Sequence, residues 1–230
     1  MTRVLAILVD ALRYDFVNEN DTPFLYALSR RGLSVPLRPI LGYSDSIRAT
    51  IFTGARPSRH GYWMSYRYSP ESSPFKALRP LRFIDRIPSD LIRRGMKFVL
   101  SSTLGKLLAS NRGLRKLQLH NIPFSVIDRF DVTLRESMLV QNPFPDYPTI
   151  FDVLRTTGIK FAYFDSTTSK RKLLAQIQKL DPETRLVLVY LHYLDQVSHW
   201  FGLSSRRFAR SLRLVDRLAS DIARLSRGIW

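Results

Sequence analysis

The chain has 230 residues, 45% of them apolar, so it is long enough to bury a large core and has the composition of a globular protein. It contains no cysteine, which excludes disulfides and thiolate metal sites, and its formal charge is +17. That charge favours anionic partners: phosphorylated substrates, nucleic acid or an acidic membrane surface. No apolar run is long enough for a signal peptide core or a membrane span, so we expect a cytoplasmic protein.

The first element is the apolar run of residues 4–9 (VLAILV), which predicts a central β-strand covered on both faces. Asp10 follows this strand directly. Ligands of open α/β sheets bind beyond the carboxyl ends of the strands, so Asp10 is a candidate site residue, and an ordinary turn aspartate is the alternative.

One helix is predicted between Asp21 and Gly32. Thr22 can cap it, Pro23 suits its first position, and Gly32 suits a left-handed residue at its end. An extended segment broken by two prolines then leads to Ser44.

Ser44 stands in a loop just before a second helical pattern (SDSIRATIFTG), which ends at Gly54. The backbone N–H groups and the dipole at such a helix terminus favour an anionic ligand, although most serines in this position are simple N-caps. Arg48 follows one helical turn later, where it could bind a non-bridging phosphoryl oxygen.

Residues 62–142 interrupt the α/β pattern with prolines, aromatic side chains and many cations. We interpret this stretch as a basic, largely helical insertion over the carboxyl edge of the sheet, with an amphipathic helix at residues 91–108. Its positive face could guide an anionic substrate or contact an acidic membrane surface, and a solvated surface without a specific partner is the alternative.

The α/β pattern then resumes, with helices predicted at residues 147–157 and 169–180 and strands at 159–164 and 185–191. This order implies parallel strand pairing with right-handed crossovers. Asp195 and His199 follow the last strand, and an amphipathic helix is predicted at residues 206–226.

Asp10, Ser44, Asp195 and His199 are thus expected to collect at one edge of one sheet. Carboxylate and imidazole groups suit Zn²⁺ and related ions in a site without thiols. A hydroxyl beside such an ion becomes a usable nucleophile, and a second ion about 4 Å away can stabilise the opposite oxygen of a displacement at phosphorus. The structural alternatives are a helix cap for Asp195 and a core or surface histidine for His199.

The motifs resemble those of the alkaline phosphatase superfamily, particularly its sulfatase and type I phosphodiesterase/nucleotide pyrophosphatase branches. Val9-Asp10-Ala11-Leu12-Arg13 resembles the first metal-binding aspartate motif, and Thr22-Pro23-Phe24-Leu25 resembles the Thr-Pro-Asn-Leu helix that follows it. The run from Ser44 to Gly54 and on to His60-Gly61 resembles the nucleophile segment. Asp195 to His199 and Gly202 resemble the Asp-x-x-Gly-His-x-x-Gly metal motif, with Ser198 in place of its glycine.

The resemblance implies two divalent metal ions, expected to be zinc. One would be bound by Asp10 and Ser44 and the other by Asp195 and His199, with Ser44 attacking phosphorus to give a phospho-enzyme that water resolves. Arg48 matches an arginine near the modified residue of sulfatases. Ser46 replaces the proline of the sulfatase modification motif, which argues against conversion of Ser44 to formylglycine and against sulfate ester hydrolysis.

The resemblance also implies a further strand ending in Asp-His-Gly and one more metal-binding histidine after the last helix, and neither follows residue 226 in this sequence. We therefore expect either a fragment of an enzyme or a truncated relative whose two metal sites lack ligands, so enzymatic activity of the chain stays open.

We predict a three-layer α/β/α sandwich with a mostly parallel central sheet, formed by residues 1–230 as one domain that carries the insertion. The predicted function is metal-dependent hydrolysis of phosphate esters with Ser44 as nucleophile. The alternatives are a non-catalytic relative that binds anionic ligands or acidic membrane surfaces, and a sulfatase-like hydrolase. Nucleic acid ranks lower as a partner, because no recognised nucleic-acid motif accompanies the charge.

Overall fold

The computed structural model describes residues 2–41, 43–93, 95–100, 103, 122–134, 137–165 and 169–229. The helices are α1 (Pro23–Arg31), α2 (Ser44–Thr53), α3 (Pro57–His60), α4 (Ile150–Thr156), α5 (Lys170–Gln178), α6 (Tyr193–Phe201) and α7 (Arg206–Ile229). The strands are β1 (Val4–Val9), β2 (Tyr66–Tyr68), β3 (Phe130–Val132), β4 (Phe161–Phe164) and β5 (Leu186–Leu191). The chain divides into a first unit, residues 1–39 with 154–230, and a second unit, residues 40–153.

The first unit contains a parallel sheet with the strand order β1-β5-β4. All six residues of β5 are buried, as their unbroken apolar sequence predicts. The predicted α/β architecture with a parallel sheet is confirmed. Within the described residues the predicted central position belongs to β5, which lies between β1 and β4, and β1 pairs with β5 alone. A continuous apolar run indicates that both faces of a strand are covered, and it carries no information about how many neighbours the strand has.

Helix α7 organises the packing of the first unit. It packs against α1, α5 and α6, and its apolar residues recur every three or four positions, as predicted. Burial of each large apolar side chain in this core contributes about 1.5–3 kcal/mol. The buried members of the core are Leu173, Ile177, Val187, Val189, Leu191, Leu194, Val197, Phe208, Leu212, Val215 and Ile222.

The cap of α1 comes from α7 and not from Thr22, so the prediction for Thr22 is wrong. The Thr22 hydroxyl donates to the carbonyls of Phe16 and Asn18 in the preceding loop. The buried carboxylate of Asp216 accepts instead from the backbone N–H groups of Phe24 (3.2 Å) and Leu25 (2.9 Å), which lie in the first turn of α1. A tertiary contact therefore satisfies the donors that an N-cap side chain usually satisfies.

The helices predicted to end at Gly32 and Gly54 do end there, but the three glycines that follow helices differ in conformation. Gly54 after α2 and Gly158 after α4 both have φ of 68°, the left-handed conformation expected of a glycine at a helix C-terminus. Gly32 after α1 has φ of −130° and is extended, so its predicted left-handed conformation is wrong. α4 begins later than predicted because Thr149 and Asp152 cap its N-terminus with reciprocal hydrogen bonds of 2.7–3.3 Å.

The second unit contains α2, α3 and an antiparallel pair formed by β2 and β3. Its core is built around Phe75, Ile84, Phe124 and Ile127, all of which are buried. Residues 90–93 and 95–100 are helical, which agrees with the start of the helix predicted at 91–108, and most of its remainder lies outside the described residues. The boundaries of the insertion at 62–142 stay a prediction.

Candidate active site

The carboxyl ends of β1 and β5 bring Asp10 and the start of α6 to the same edge of the sheet. The two strands run in register, with Val9 beside Leu191, and the Asp10 N–H donates to the Leu191 carbonyl at 2.8 Å. α6 begins only two residues after β5 ends, so Asp195 lies in its first turn. The sequence-based prediction that Asp10 and Asp195 share this edge agrees with the strand register.

Asp10 is held in place by two hydrogen bonds. The Tyr190 hydroxyl donates to Asp10 Oδ2 at 2.6 Å, and the backbone N–H of Ala11 donates to Oδ1 at 3.1 Å. Ala11 has φ of 60°, a left-handed conformation that costs an alanine about 1 kcal/mol. Tyr190 was not singled out from the sequence, although it is the one residue of β5 with a polar tip and stands next to the end of the strand.

Asp195 and His199 face each other across one turn of α6. His199 Nε2 lies 3.4 Å from Asp195 Oδ1, and the histidine is largely exposed. Burial raises the pKa of Asp195, the negative charge of Asp10 raises it further, and His199 and His192 act in the opposite direction. Asp10 and Asp195 therefore repel each other, and a divalent cation between carboxylates relieves such repulsion.

The types of side chain at this edge fit a divalent cation, because carboxylates and imidazole are ligands of Zn²⁺ and similar ions. Among the residues that the structure describes, however, no group of three or more Asp, Glu, His or Cys side chains could hold a metal ion. The donor chemistry therefore fits a metal, while the described residues supply only part of a coordination shell.

Ser44 is the first residue of α2, and the N-cap position is occupied by Tyr43. This corrects the expectation that Ser44 lies in the loop before the helix. It also excludes the simple N-cap alternative, because Ser44 already has helical geometry and belongs to the first turn, where the N–H groups of the helix have no intrahelical partner.

Asp45 is a hydrogen-bonding hub beside Ser44 that the sequence reasoning missed. Its carboxylate forms an ion pair with Arg48 and accepts hydrogen bonds from Ser65 Oγ at 2.9 Å and from the Tyr62 hydroxyl at 3.5 Å. The Arg48 guanidinium is thus engaged by a carboxylate on its own helix. The spacing of Asp45 and Arg48 at i and i+3 on a predicted helix was the sequence signal for this pair.

His60 links α3 to α2 as a neutral side chain. Its Nδ1 accepts from the Tyr62 N–H at 3.1 Å, so Nε2 carries the proton and donates to Thr50 Oγ1 at 3.1 Å. Burial lowers the pKa of His60, which favours this neutral form. The contacts assign His60 to the packing of α2 and not to metal binding.

Comparison with known proteins gives one family and one fold. The sequence matches the family model of type I phosphodiesterase / nucleotide pyrophosphatase over residues 4–227, and no curated protein matches it. Murine ectonucleotide pyrophosphatase/phosphodiesterase 5 is similar in structure, with a TM-score of 0.61 and 12% identity. An inactive variant of that protein in complex with AMP gives a TM-score of 0.62 and 10% identity.

At this identity the likeness shows the fold alone. The matches cover 100% of this chain but only 53% and 54% of the murine chains, so the chain spans about half the length of these relatives. No helix within the described ranges is both long and apolar enough to cross a membrane.

Proposed function

Because the chain belongs to the type I phosphodiesterase/nucleotide pyrophosphatase family, we propose that it hydrolyses phosphate esters with the Ser44 hydroxyl as nucleophile. The observation that carries the proposal is the pair Asp10 and Asp195 at the carboxyl ends of adjacent parallel strands. Repulsion from Asp10 helps to raise the pKa of Asp195, as expected of carboxylates arranged around a cation.

Asp10, Asp195 and His199 are the residues that would hold divalent ions in this proposal, with zinc as the expected metal. A bound divalent ion lowers the pKa of a nearby hydroxyl and neutralises charge on a phosphoryl group. Tyr190 keeps the Asp10 carboxylate oriented through its 2.6 Å hydrogen bond. Asp45 positions Arg48 on the first two turns of α2, the helix that begins with Ser44.

The proposed reaction proceeds in two displacements. Ser44 Oγ forms a bond to phosphorus, the ester oxygen leaves as an alcohol, and the Ser44 proton is lost to solvent or to the leaving oxygen. Water then attacks the phosphoserine, which releases phosphate or a phosphomonoester and restores the serine. The AMP complex of the murine structural neighbour supports a nucleotide-type phosphate ester as the substrate class.

The test is turnover of a nitrophenyl phosphodiester by the purified chain with added Zn²⁺. We expect Ser44→Ala to lower kcat by roughly 1,000-fold or more, because the nucleophile is lost. Ser46→Ala is the matched control, since Ser46 lies in the same helix turn and is fully buried. Unchanged turnover in the Ser44 variant removes Ser44 from the role.

A non-catalytic relative that binds anionic ligands is the second candidate, and the formal charge of +17 favours it. It predicts no turnover of phosphate or sulfate nitrophenyl esters with any added metal. It also predicts binding of phosphate-rich ligands that weakens as the salt concentration rises. A sulfatase-like hydrolase predicts turnover of the sulfate ester instead.

Docking to an acidic membrane surface is a further candidate, because the helical residues 90–93 and 95–100 expose several apolar side chains in a strongly basic protein. Leu91 is 83% exposed and Val99 is 61% exposed. We expect the chain to sediment with vesicles containing phosphatidylserine, and Leu91→Ser with Val99→Ser to reduce this binding. Leu33→Ser is the control, since Leu33 is a still more exposed apolar residue, at 92%, in the first unit. Failure of the wild-type chain to sediment eliminates this candidate.

A further inference from the structure

We propose that His60 is a positioning residue for the proposed active site and acts through the segment of residues 60–65, called the bridge below. The bridge links the second turn of α2 to its first turn, where it holds the Asp45 carboxylate that orients Arg48. The inference rests on the proposed function for the role of Arg48 at a phosphoryl oxygen. The contacts that carry it all lie within residues 44–144 of the second unit.

His60 is fixed by contacts on three sides. Its Nε2 donates to Thr50 Oγ1 in α2, and its Nδ1 accepts from the Tyr62 N–H, both at 3.1 Å. Its ring lies against the buried Phe144 ring, with 5.4 Å between the centroids. A histidine that uses both ring nitrogens in this way is held in one tautomer and one ring orientation. The start of the bridge is therefore fixed against α2.

Ser65 fixes the other end of the bridge. Its carbonyl accepts from the Thr133 N–H at 3.0 Å, which continues the pairing of β2 with β3. Its hydroxyl donates to Asp45 Oδ2 at 2.9 Å. Between the two ends, Tyr62 is buried, and its hydroxyl lies 3.5 Å from the same carboxylate oxygen. The bridge thus contacts α2 at both of its ends.

Both oxygens of the Asp45 carboxylate are engaged as a result. Oδ1 forms the ion pair with Arg48, and Oδ2 accepts from Ser65 in the bridge. The Arg48 side chain is only 12% exposed and its Nε is buried, so the guanidinium has little room for another position. A carboxylate held by two different groups has a defined orientation, and its ion pair transmits that orientation to the arginine. The position of Arg48 therefore depends on the bridge, and the bridge depends on His60.

Hydrogen exchange at Arg48 Nε, followed by NMR in ¹⁵N-labelled protein, tests the proposal without requiring turnover. Arg48→Lys identifies the signal by its loss. We expect His60→Ala to raise the exchange rate roughly ten-fold, because the bridge no longer holds Asp45 in place. His60→Asn is expected to keep the slow rate, since an asparagine side chain can accept from the N–H two residues later, as Nδ1 does. His60→Gln can replace only the contact with Thr50 and is expected to behave like His60→Ala.

Phe144→Leu is the control for a general loss of packing. It weakens the ring contact with His60 at a buried position, so we expect a less stable protein in which Arg48 exchange, measured well below the unfolding transition, stays slow. An exchange rate that is the same in His60→Ala as in the wild type overturns the proposal. Equal acceleration by His60→Ala and Phe144→Leu also overturns it, since loosening of the whole unit then explains both.

Turnover of the nitrophenyl phosphodiester gives a second readout. We expect His60→Ala to lower kcat/KM roughly ten-fold when Arg48 is present and by less than about two-fold in the Arg48→Ala background, because His60 acts through Arg48. Equal losses in both backgrounds overturn the proposal. A wild-type chain without turnover contradicts the proposed function instead, and the exchange measurement alone then decides whether His60 positions Arg48.

Discussion

Asp128 in the second unit and Asp195 in the first unit have opposite kinds of neighbour. In the second unit, buried Asp128 accepts from Arg79 at 2.6 Å and from Arg82 at 2.8 Å, and fully buried Asp131 pairs with Arg67. Burial raises the pKa of Asp128, but the two arginines outweigh it, so the pKa is lowered overall. In the first unit, burial raises the pKa of Asp195, and the negative charge of Asp10 raises it further.

Under the proposed function, this difference separates a structural charge, that of Asp128, from a metal-binding one, that of Asp195. A carboxylate whose charge is neutralised by arginine stabilises the fold, whereas one held next to a second carboxylate is maintained at a cost that a bound cation can offset. It also refines the interpretation of the basic insertion. Part of its positive charge neutralises carboxylates of the same unit, partly buried Asp85 through Lys97 and buried Asp128 through Arg79. That part is not a free surface for anionic partners.

The largest expected effect on stability lies in the second unit. Asp128→Ala removes the acceptor of two arginine hydrogen bonds, and we expect it to lower the free energy of unfolding by about 2 kcal/mol, because both arginines are half exposed and can be rehydrated. Urea denaturation followed by circular dichroism measures the change. Asp90→Ala is the matched control, since Asp90 forms an exposed ion pair with Arg93 and is expected to cost less than about 0.5 kcal/mol. Equal effects of both variants contradict the distinction.

A smaller loss of stability is expected at Asp216, a carboxylate of the first unit that accepts hydrogen bonds from backbone N–H groups. Asp216→Ala leaves the N–H groups of Phe24 and Leu25 without their acceptor, and we expect a loss of about 1 kcal/mol, as for a helix N-cap. Asp221→Ala is the control, since Asp221 lies in the same helix but pairs with the side chains of Lys170 and Arg224. Faster amide hydrogen exchange at Phe24 and Leu25 in the Asp216 variant alone indicates that the cap was lost; unchanged exchange there argues that Asp216 does not cap α1.

The smallest expected effect is a pH dependence of the free energy of unfolding, and it comes from Asp195. Its pKa is raised in the folded chain above the ordinary value of 3.8, so its contribution to stability is fully present below that value and is lost as the pH rises through the folded-state pKa. In metal-free buffer we expect Asp195→Asn to unfold like the wild type at the acidic end and to be the more stable protein near neutral pH. Urea denaturation across this range measures the difference.

Adding Zn²⁺ gives a second test of the wild type against the Asp195→Asn variant. It is expected to stabilise the wild type and not the Asp195→Asn variant, because the ion neutralises the carboxylates that repel each other. A variant that is less stable than the wild type in metal-free buffer at neutral pH shows that the carboxylate is stabilising, and that Asp195 resembles Asp128 after all.

Much of the first unit was predictable because its signals are local. The apolar runs that became β1 and β5, the period of α7 and the positions of Asp10 and Asp195 after their strands all agree with the structure. The family motifs likewise led to the family that the comparison confirms. The chemistry of Ser44 and its metal ions stays a prediction, because no contact among the described residues tests it.

Other features were missed because the partners are distant in sequence. Asp216 lies about 190 residues from the helix that it caps, and Tyr190 lies 180 residues from the carboxylate that it orients. Thr22 is of a residue type that often caps helices, but its hydroxyl donates to the Phe16 carbonyl in the preceding loop. Propensity describes what a residue can do locally, and the fold decides which of several polar partners it meets.

The sequence by itself determined where the strands and helices form, since the periodicity of apolar residues is a property of neighbouring positions. It also determined that Asp10 and Asp195 come at strand ends. Only the tertiary structure decided that β5 lies between β1 and β4 in the described sheet, and that Asp10 raises the pKa of Asp195. Strand order and electrostatic coupling depend on distances between residues far apart in the chain, and those distances exist only after folding.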